Sequence, residues 1–168
     1  MSDPATIAAL ESPGAAASAP LLEISGLSVM LEVNGTKRPV LRDVSLTVRP
    51  GEAVGLVGES GSGKTMTARA IDRLLPRGAE VQGSIRFGGS EVGALSGAGL
   101  RQYRNQVAMI FQDPRAHTNP GRRIGDFMTE ALRTNHGVRA AQARDRALDM
   151  LAQVGIEDGA RSAARRRS

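Results

Sequence analysis

The chain has 168 residues, a length at which a single domain can bury a real core. It holds no cysteine and two histidines, which excludes disulfide scaffolds, thiolate metal sites, cysteine nucleophiles and multi-histidine metal centres. The net charge of +5 is carried by arginine, but aromatic residues make up only 2%, too few for a base-stacking surface, and no nucleic-acid partner is expected.

Residues 1–20 are rich in Ala, Ser and Pro without an apolar period, the composition of a disordered leader. Asp3 stands where a secretory signal would carry basic residues, and no apolar run approaches the roughly 20 residues that span a bilayer. A cytoplasmic location with no transmembrane segment is therefore expected. Leu22–Val33 and Val40–Val48 alternate apolar and polar residues around the turn dipeptide Asn34-Gly35, so a hairpin is predicted. Ala53–Val57 is a short apolar run between turns and reads as a buried central strand. The helical spacing of Met66, Ala70, Ile71, Leu74 and Leu75 predicts a helix over Thr65–Leu75, stopped by Pro76 and Gly78. Gly83–Phe87 reads as a strand, Ser96 as the N-cap of a helix running through Tyr103, and Val107–Phe111 as a second buried strand. Asp126–Arg133 and Arg139–Val154 read as helices, the second with Ala143, Ala147, Leu148, Leu151 and Val154 on one face. Residues 159–168 are only Gly, Ala, Arg and Ser, a basic tail with nothing to bury.

One motif carries chemistry. Gly58-Glu59-Ser60-Gly61-Ser62-Gly63-Lys64-Thr65 fits G-x-x-x-x-G-K-[ST], with a predicted strand before it and a predicted helix after it. Glycines let backbone N–H groups turn inward around phosphate oxygens, and the helix start adds more free donors. Lys64 can reach the terminal phosphates, and the Thr65 hydroxyl can ligate Mg²⁺. All eight residues are candidate nucleotide contacts, with ATP and Mg²⁺ as the expected ligands. The competing reading is a glycine-rich strand-to-helix turn with no ligand. Glu59 is read as a solvated loop carboxylate rather than a general base, and His117 and His136 as ordinary loop residues.

The flanks narrow the class. Val40-Leu41-Arg42-Asp43-Val44-Ser45-Leu46, Pro50-Gly51-Glu52, the loop itself, Gly83-Ser84-Ile85-Arg86-Phe87 and Met109-Ile110-Phe111-Gln112-Asp113-Pro114 together resemble an ABC transporter ATP-binding subunit. Asn119-Pro120 followed by Ile124-Gly125 is similar to the branch serving oligopeptide, dipeptide and nickel importers. The resemblance implies an α/β fold, with a P-loop NTPase core, an antiparallel β flank and a C-terminal truncation. It makes Gln112 the glutamine that touches Mg²⁺ or the attacking water and relays nucleotide state. It implies membrane subunits and a second ATP-binding subunit as partners, peripheral attachment to the inner face of the cell membrane, and a partial ATP-binding domain over residues 21–158.

Several positions depart from that pattern. Leu95-Ser96-Gly97-Ala98-Gly99 is similar to the family's signature but precedes Gln112, and is read as a helix start. The signature, the acidic strand that follows it and the switch histidine are not found, so the 168-residue chain is expected to bind Mg·ATP and hydrolyse it poorly or not at all, with no catalytic residue assigned. Leu31 stands where the family stacks an aromatic ring on adenine, and Arg115–Thr118 is more polar than the family's loop. A frameshift near Gly159 would account for the tail. A non-functional remnant, or a regulatory half-domain binding a full-length homologue, are the alternative readings.

Overall fold

The structure is a computed structural model and describes residues 8–10, 18–113 and 121–156. The chain divides into two compact units, residues 1–109 and 110–168.

The first unit is built on a four-stranded antiparallel sheet. Strand β2 (Leu22–Val33) pairs with β3 (Thr36–Val48) on one side and β5 (Glu80–Phe87) on the other, and β6 (Ser90–Glu91) closes the order β3-β2-β5-β6. The β2–β3 connection is the predicted Asn34-Gly35 turn, both residues at positive φ (+52° and +74°), which matches the twist of a tight hairpin. Alternation then sends one set of side chains inward. Ile24, Leu27, Val29, Leu41, Val44, Leu46 and Ile85 form the core with Val92, Tyr103 and Ala70. Tyr103 comes from α2 (Gly97–Gln106). It donates its hydroxyl to the Ile71 carbonyl (2.6 Å) and packs edge-on against Phe87, with ring centroids 5.4 Å apart.

The sheet is bulged near its middle. Gly26 sits at φ +59°, and the register shifts between Ser25 and Ser28 against β5. Backbone donors freed there are met by hydroxyls: Gly26 N–H donates to Ser45 Oγ and Asp43 N–H to Ser28 Oγ, each at 2.9 Å. Gly83 lies opposite at φ +90°, where a Cβ would fall 2.5 Å from the Gly26 carbonyl oxygen.

Four sequence expectations are corrected here. Ala53–Val57 is not a buried central strand. Among the described residues only Gly55–Val57 forms a strand there, β4, and Val57 is 57% exposed. Its partner is β1 (Ala8–Leu10), inside the leader expected to be structureless, paired antiparallel with Ala9 opposite Leu56. Val107–Phe111 joins neither sheet; Ile110 is 95% exposed, and extended backbone becomes a strand only by laddering with a neighbour. The helix predicted over Thr65–Leu75 ends sooner, as α1 (Lys64–Ile71). Its stop is a Schellman turn with Arg73 at φ +55°: Arg73 N–H bonds the Ala70 carbonyl and Leu74 N–H the Arg69 carbonyl. Ser96 does stand at the N-cap of α2, but its side chain makes no capping hydrogen bond.

The second unit holds α3 (Ile124–Thr134) and α4 (Ala140–Gln153), packed through buried Thr129, Ala143, Ala147 and Leu151. Both helices lie within a few residues of their sequence prediction. Helix α4 ends in another Schellman turn, here with Gly155 at φ +79°. His117, Asn119-Pro120, Arg115–Thr118 and the 159–168 tail lie outside the described residues.

Candidate functional site

Strand β4, residues 58–63 and helix α1 follow one another as strand, loop and helix. The loop folds as it does because Gly61 and Gly63 take φ +86° and +95°, a region that side-chained residues avoid. Gly63 is constrained twice. A Cβ there would lie 2.5 Å from Leu41 Cδ2 and 3.2 Å from the Val40 carbonyl oxygen, so β3 forms a wall behind the loop. At Gly58 a Cβ would meet Ser62 Oγ at 2.7 Å. Thr67 fixes the first helical turn from inside: it is fully buried, and its N–H and hydroxyl both donate to the Gly63 carbonyl, at 2.8 and 3.2 Å.

Lys64 is drawn into the loop it follows. Its ammonium donates to the carbonyls of Gly58 (2.7 Å) and Glu59 (2.8 Å) and to Ser62 Oγ (3.1 Å). Ser62 N–H bonds the Glu59 carbonyl at 3.2 Å, which closes the turn. A half-buried ammonium so placed is held over the concave side of the loop, and a compact cation on a flexible stem can exchange neutral carbonyls for phosphate oxygens. Thr65 is exposed at the first turn of α1, where a hydroxyl can face a metal ion bound to such an oxygen. Glu59 and Ser60 are exposed, their backbone being the part the loop uses.

The structure thus brings Gly58, Glu59, Ser60, Gly61, Ser62, Gly63, Lys64 and Thr65 into one loop. Gln112 is exposed and belongs to the second unit. Leu31 is half-buried in β2, opposite Arg38. Val40, Leu41 and Thr67 were missed as parts of the site, although Val40 and Leu41 back Gly63, whose positive φ already favours glycine, and Thr67 bonds its carbonyl. The one available signal was the apolar pair Val40-Leu41 beginning a strand that returns toward the loop. Among the described residues no group of three His, Asp or Glu side chains could hold a metal by itself.

Strand, glycine-bearing turn, lysine folded back on the turn and helix start have the order of a P-loop. The family model for the ABC transporter matches residues 41–168, and the chain belongs to that family. The match runs through the tail that composition sets apart. A protein of Brucella abortus, provisionally named a peptide import ATP-binding protein, is 44% identical over 146 residues, covering 86% of this chain and 44% of that protein. The oligopeptide transport ATP-binding protein OppD of Mycobacterium tuberculosis is 39% identical over 139 residues, covering 82% of this chain and 23% of that protein. The chain spans less than half the length of these curated relatives.

Proposed function

We propose that the chain is the nucleotide-loop part of an ABC importer's ATP-binding subunit, and that the transporter takes up peptides. The observation that carries this is the Lys64 ammonium gathered by Gly58, Glu59 and Ser62 at a strand–loop–helix junction. The names of the relatives support peptides as cargo; nickel remains the alternative within the branch that the sequence resembles. Bound ATP would supply the phosphate oxygens, and Mg²⁺ would neutralise part of their charge. The chain's own part is to cradle those oxygens with the N–H groups of residues 58–65, to place Lys64 against them, and to offer Thr65 and Gln112 to the metal. Membrane subunits and a second ATP-binding subunit complete the reading, with attachment at the cytoplasmic face; no helix among the described residues is long and apolar enough to cross a membrane. The division into leader 1–20, domain 21–158 and tail 159–168 belongs to the same proposal.

The test is equilibrium binding of Mg·ATP. Lys64→Ala removes a charge-assisted contact of about 1.5–3 kcal/mol, so affinity should fall roughly ten- to a hundredfold. Thr65→Ala should weaken binding in the presence of Mg²⁺ more than with EDTA. Equal ATP affinity in Lys64→Ala and wild type would end the reading. Steady turnover by the 168-residue chain is expected to be near zero, and phosphate release that depends on Lys64 would contradict that.

A further inference from the structure

The second unit contains a cleft that the nucleotide loop does not use. It lies between α3 and α4, has a volume of about 220 Å³, and is lined by Arg123, Asp126, Thr129, Arg133 and Arg144 together with small residues such as Ala147. On α3 the spacing of Arg123, Asp126, Thr129 and Arg133 puts all four on one face. Arg144 stands across from them on α4, one turn before Ala147, whose small side chain leaves the space open.

Electrostatics separate this cleft from another cavity among the described residues. That one, beside α1 and β5, is lined by Arg73 and Glu91, but both are already engaged. Arg73 donates to the Leu95 carbonyl, and Glu91 accepts from Ser84 and from Ile85 N–H. In the α3–α4 cleft, none of the three arginine side chains makes an ion pair or hydrogen bond among the described residues. Elsewhere in the same unit Arg122 pairs with Glu130 at 2.9 Å, so a carboxylate is used where one is in reach. Among the described lining residues, three arginines against the single carboxylate of Asp126 leave a formal excess of two positive charges. Thr129, 6% exposed at the floor, has given its hydroxyl proton to the Gly125 carbonyl at 2.8 Å. The guanidinium N–H groups of the lining arginines are thus available as donors, and their planar fork matches tetrahedral oxyanions two oxygens at a time.

We propose that the α3–α4 cleft binds a phosphate-class dianion, either free phosphate or the phosphate of a lipid headgroup. The volume accepts one phosphate group, and the lining shares no residue with the loop at residues 58–65. Asp126 tunes the charge of the cleft to that of its ligand.

The experiment uses the full 168-residue chain carrying Lys64→Ala, which silences the nucleotide loop as a second phosphate binder. Inorganic phosphate is titrated while the arginine Nε–H signals are followed by NMR, and helicity is checked by circular dichroism. Saturable shifts of the cleft arginine signals are expected. Arg133→Gln with Arg144→Gln should lower affinity about tenfold or more, as expected for lost charge-assisted bonds. Asp126→Asn should raise it several-fold, an opposite change that loss of structure would not produce. In parallel, vesicles of phosphatidic acid in phosphatidylcholine are compared with phosphatidylcholine alone. Sedimentation with the phosphatidic acid vesicles only, without saturable free-phosphate binding and abolished by the double substitution, supports the site with a lipid as its source. Binding of neither probe, or binding unchanged by the double substitution, overturns the proposal.

Discussion

At the scale of single residues, the loop is defined by what cannot be changed. Gly63 occupies a left-handed conformation and also faces Leu41 and the Val40 carbonyl. Gly63→Ala should lose about 1–2 kcal/mol from backbone strain alone, with the steric clash added, and should displace the Lys64 backbone. The expected outcome is a lowered unfolding midpoint with Mg·ATP affinity reduced at least as much as in Lys64→Ala. The identity of the loop was legible in sequence because its chemistry is backbone chemistry, written in glycine spacing within eight consecutive residues. Its wall was not legible, since Val40 and Leu41 reach Gly63 only after β3 has folded back. Tyr103 offers a second test at this scale. Burial is the main cause that pushes its hydroxyl up to about 12 from 10.0, with Asp72 adding to the rise and Arg73 opposing it. A folded-state value above the unfolded one favours the native state below pH 10, and that contribution is lost as pH climbs from 10 toward 12. Urea titrations should show stability falling across that window, and Tyr103→Phe should flatten the fall.

Elements differ in how far their own residues decide them. Helices α3 and α4 were legible because a 3.6-residue period is internal to the segment. The β2–β3 hairpin was legible because Asn34-Gly35 dictates the turn. Two other elements were set from outside. Val107–Phe111 has the composition of a strand, but among the described residues it joins neither sheet, and composition alone does not set a ladder. Helix α1 stops at Arg73, a residue with no reputation as a breaker, because the Schellman bonds and the Arg73 contact with the Leu95 carbonyl hold it at positive φ. The bulge in the central sheet gives the sharpest element-level prediction. Gly83→Ala drives a methyl into the Gly26 and Ser25 carbonyls, which are backbone and cannot swing aside. It should cost more than the roughly 1–3 kcal/mol typical of overpacking, read as a lowered denaturation midpoint. Ser45→Ala should cost less, about 1–3 kcal/mol for one stranded N–H group, less still if water reaches Gly26.

For the molecule as a whole, the two units have unequal means of support. Among the described residues the first buries ten apolar side chains around a sheet, whereas the second closes over Thr129, Ala143, Ala147 and Leu151. Apolar burial at about 25 cal/mol per Å² makes two alanines and a leucine a thin core, so α3 and α4 should exchange their amide hydrogens well before β2 does. Uniform protection across both units would contradict this. No composition rule showed the division, because the apolar residues of the two cores are of the same kinds and differ only in which neighbours they meet. The pairing of β1 with β4 carries a last consequence. Three leader residues occupy one side of a short strand whose backbone would otherwise bond to water or to any extended segment that met it. On that edge they stand where a like strand of a separate copy would otherwise add. Removal of residues 1–17 should leave the β2–β3–β5 sheet intact by circular dichroism. The same cut should turn a clear solution into one whose light scattering grows with protein concentration.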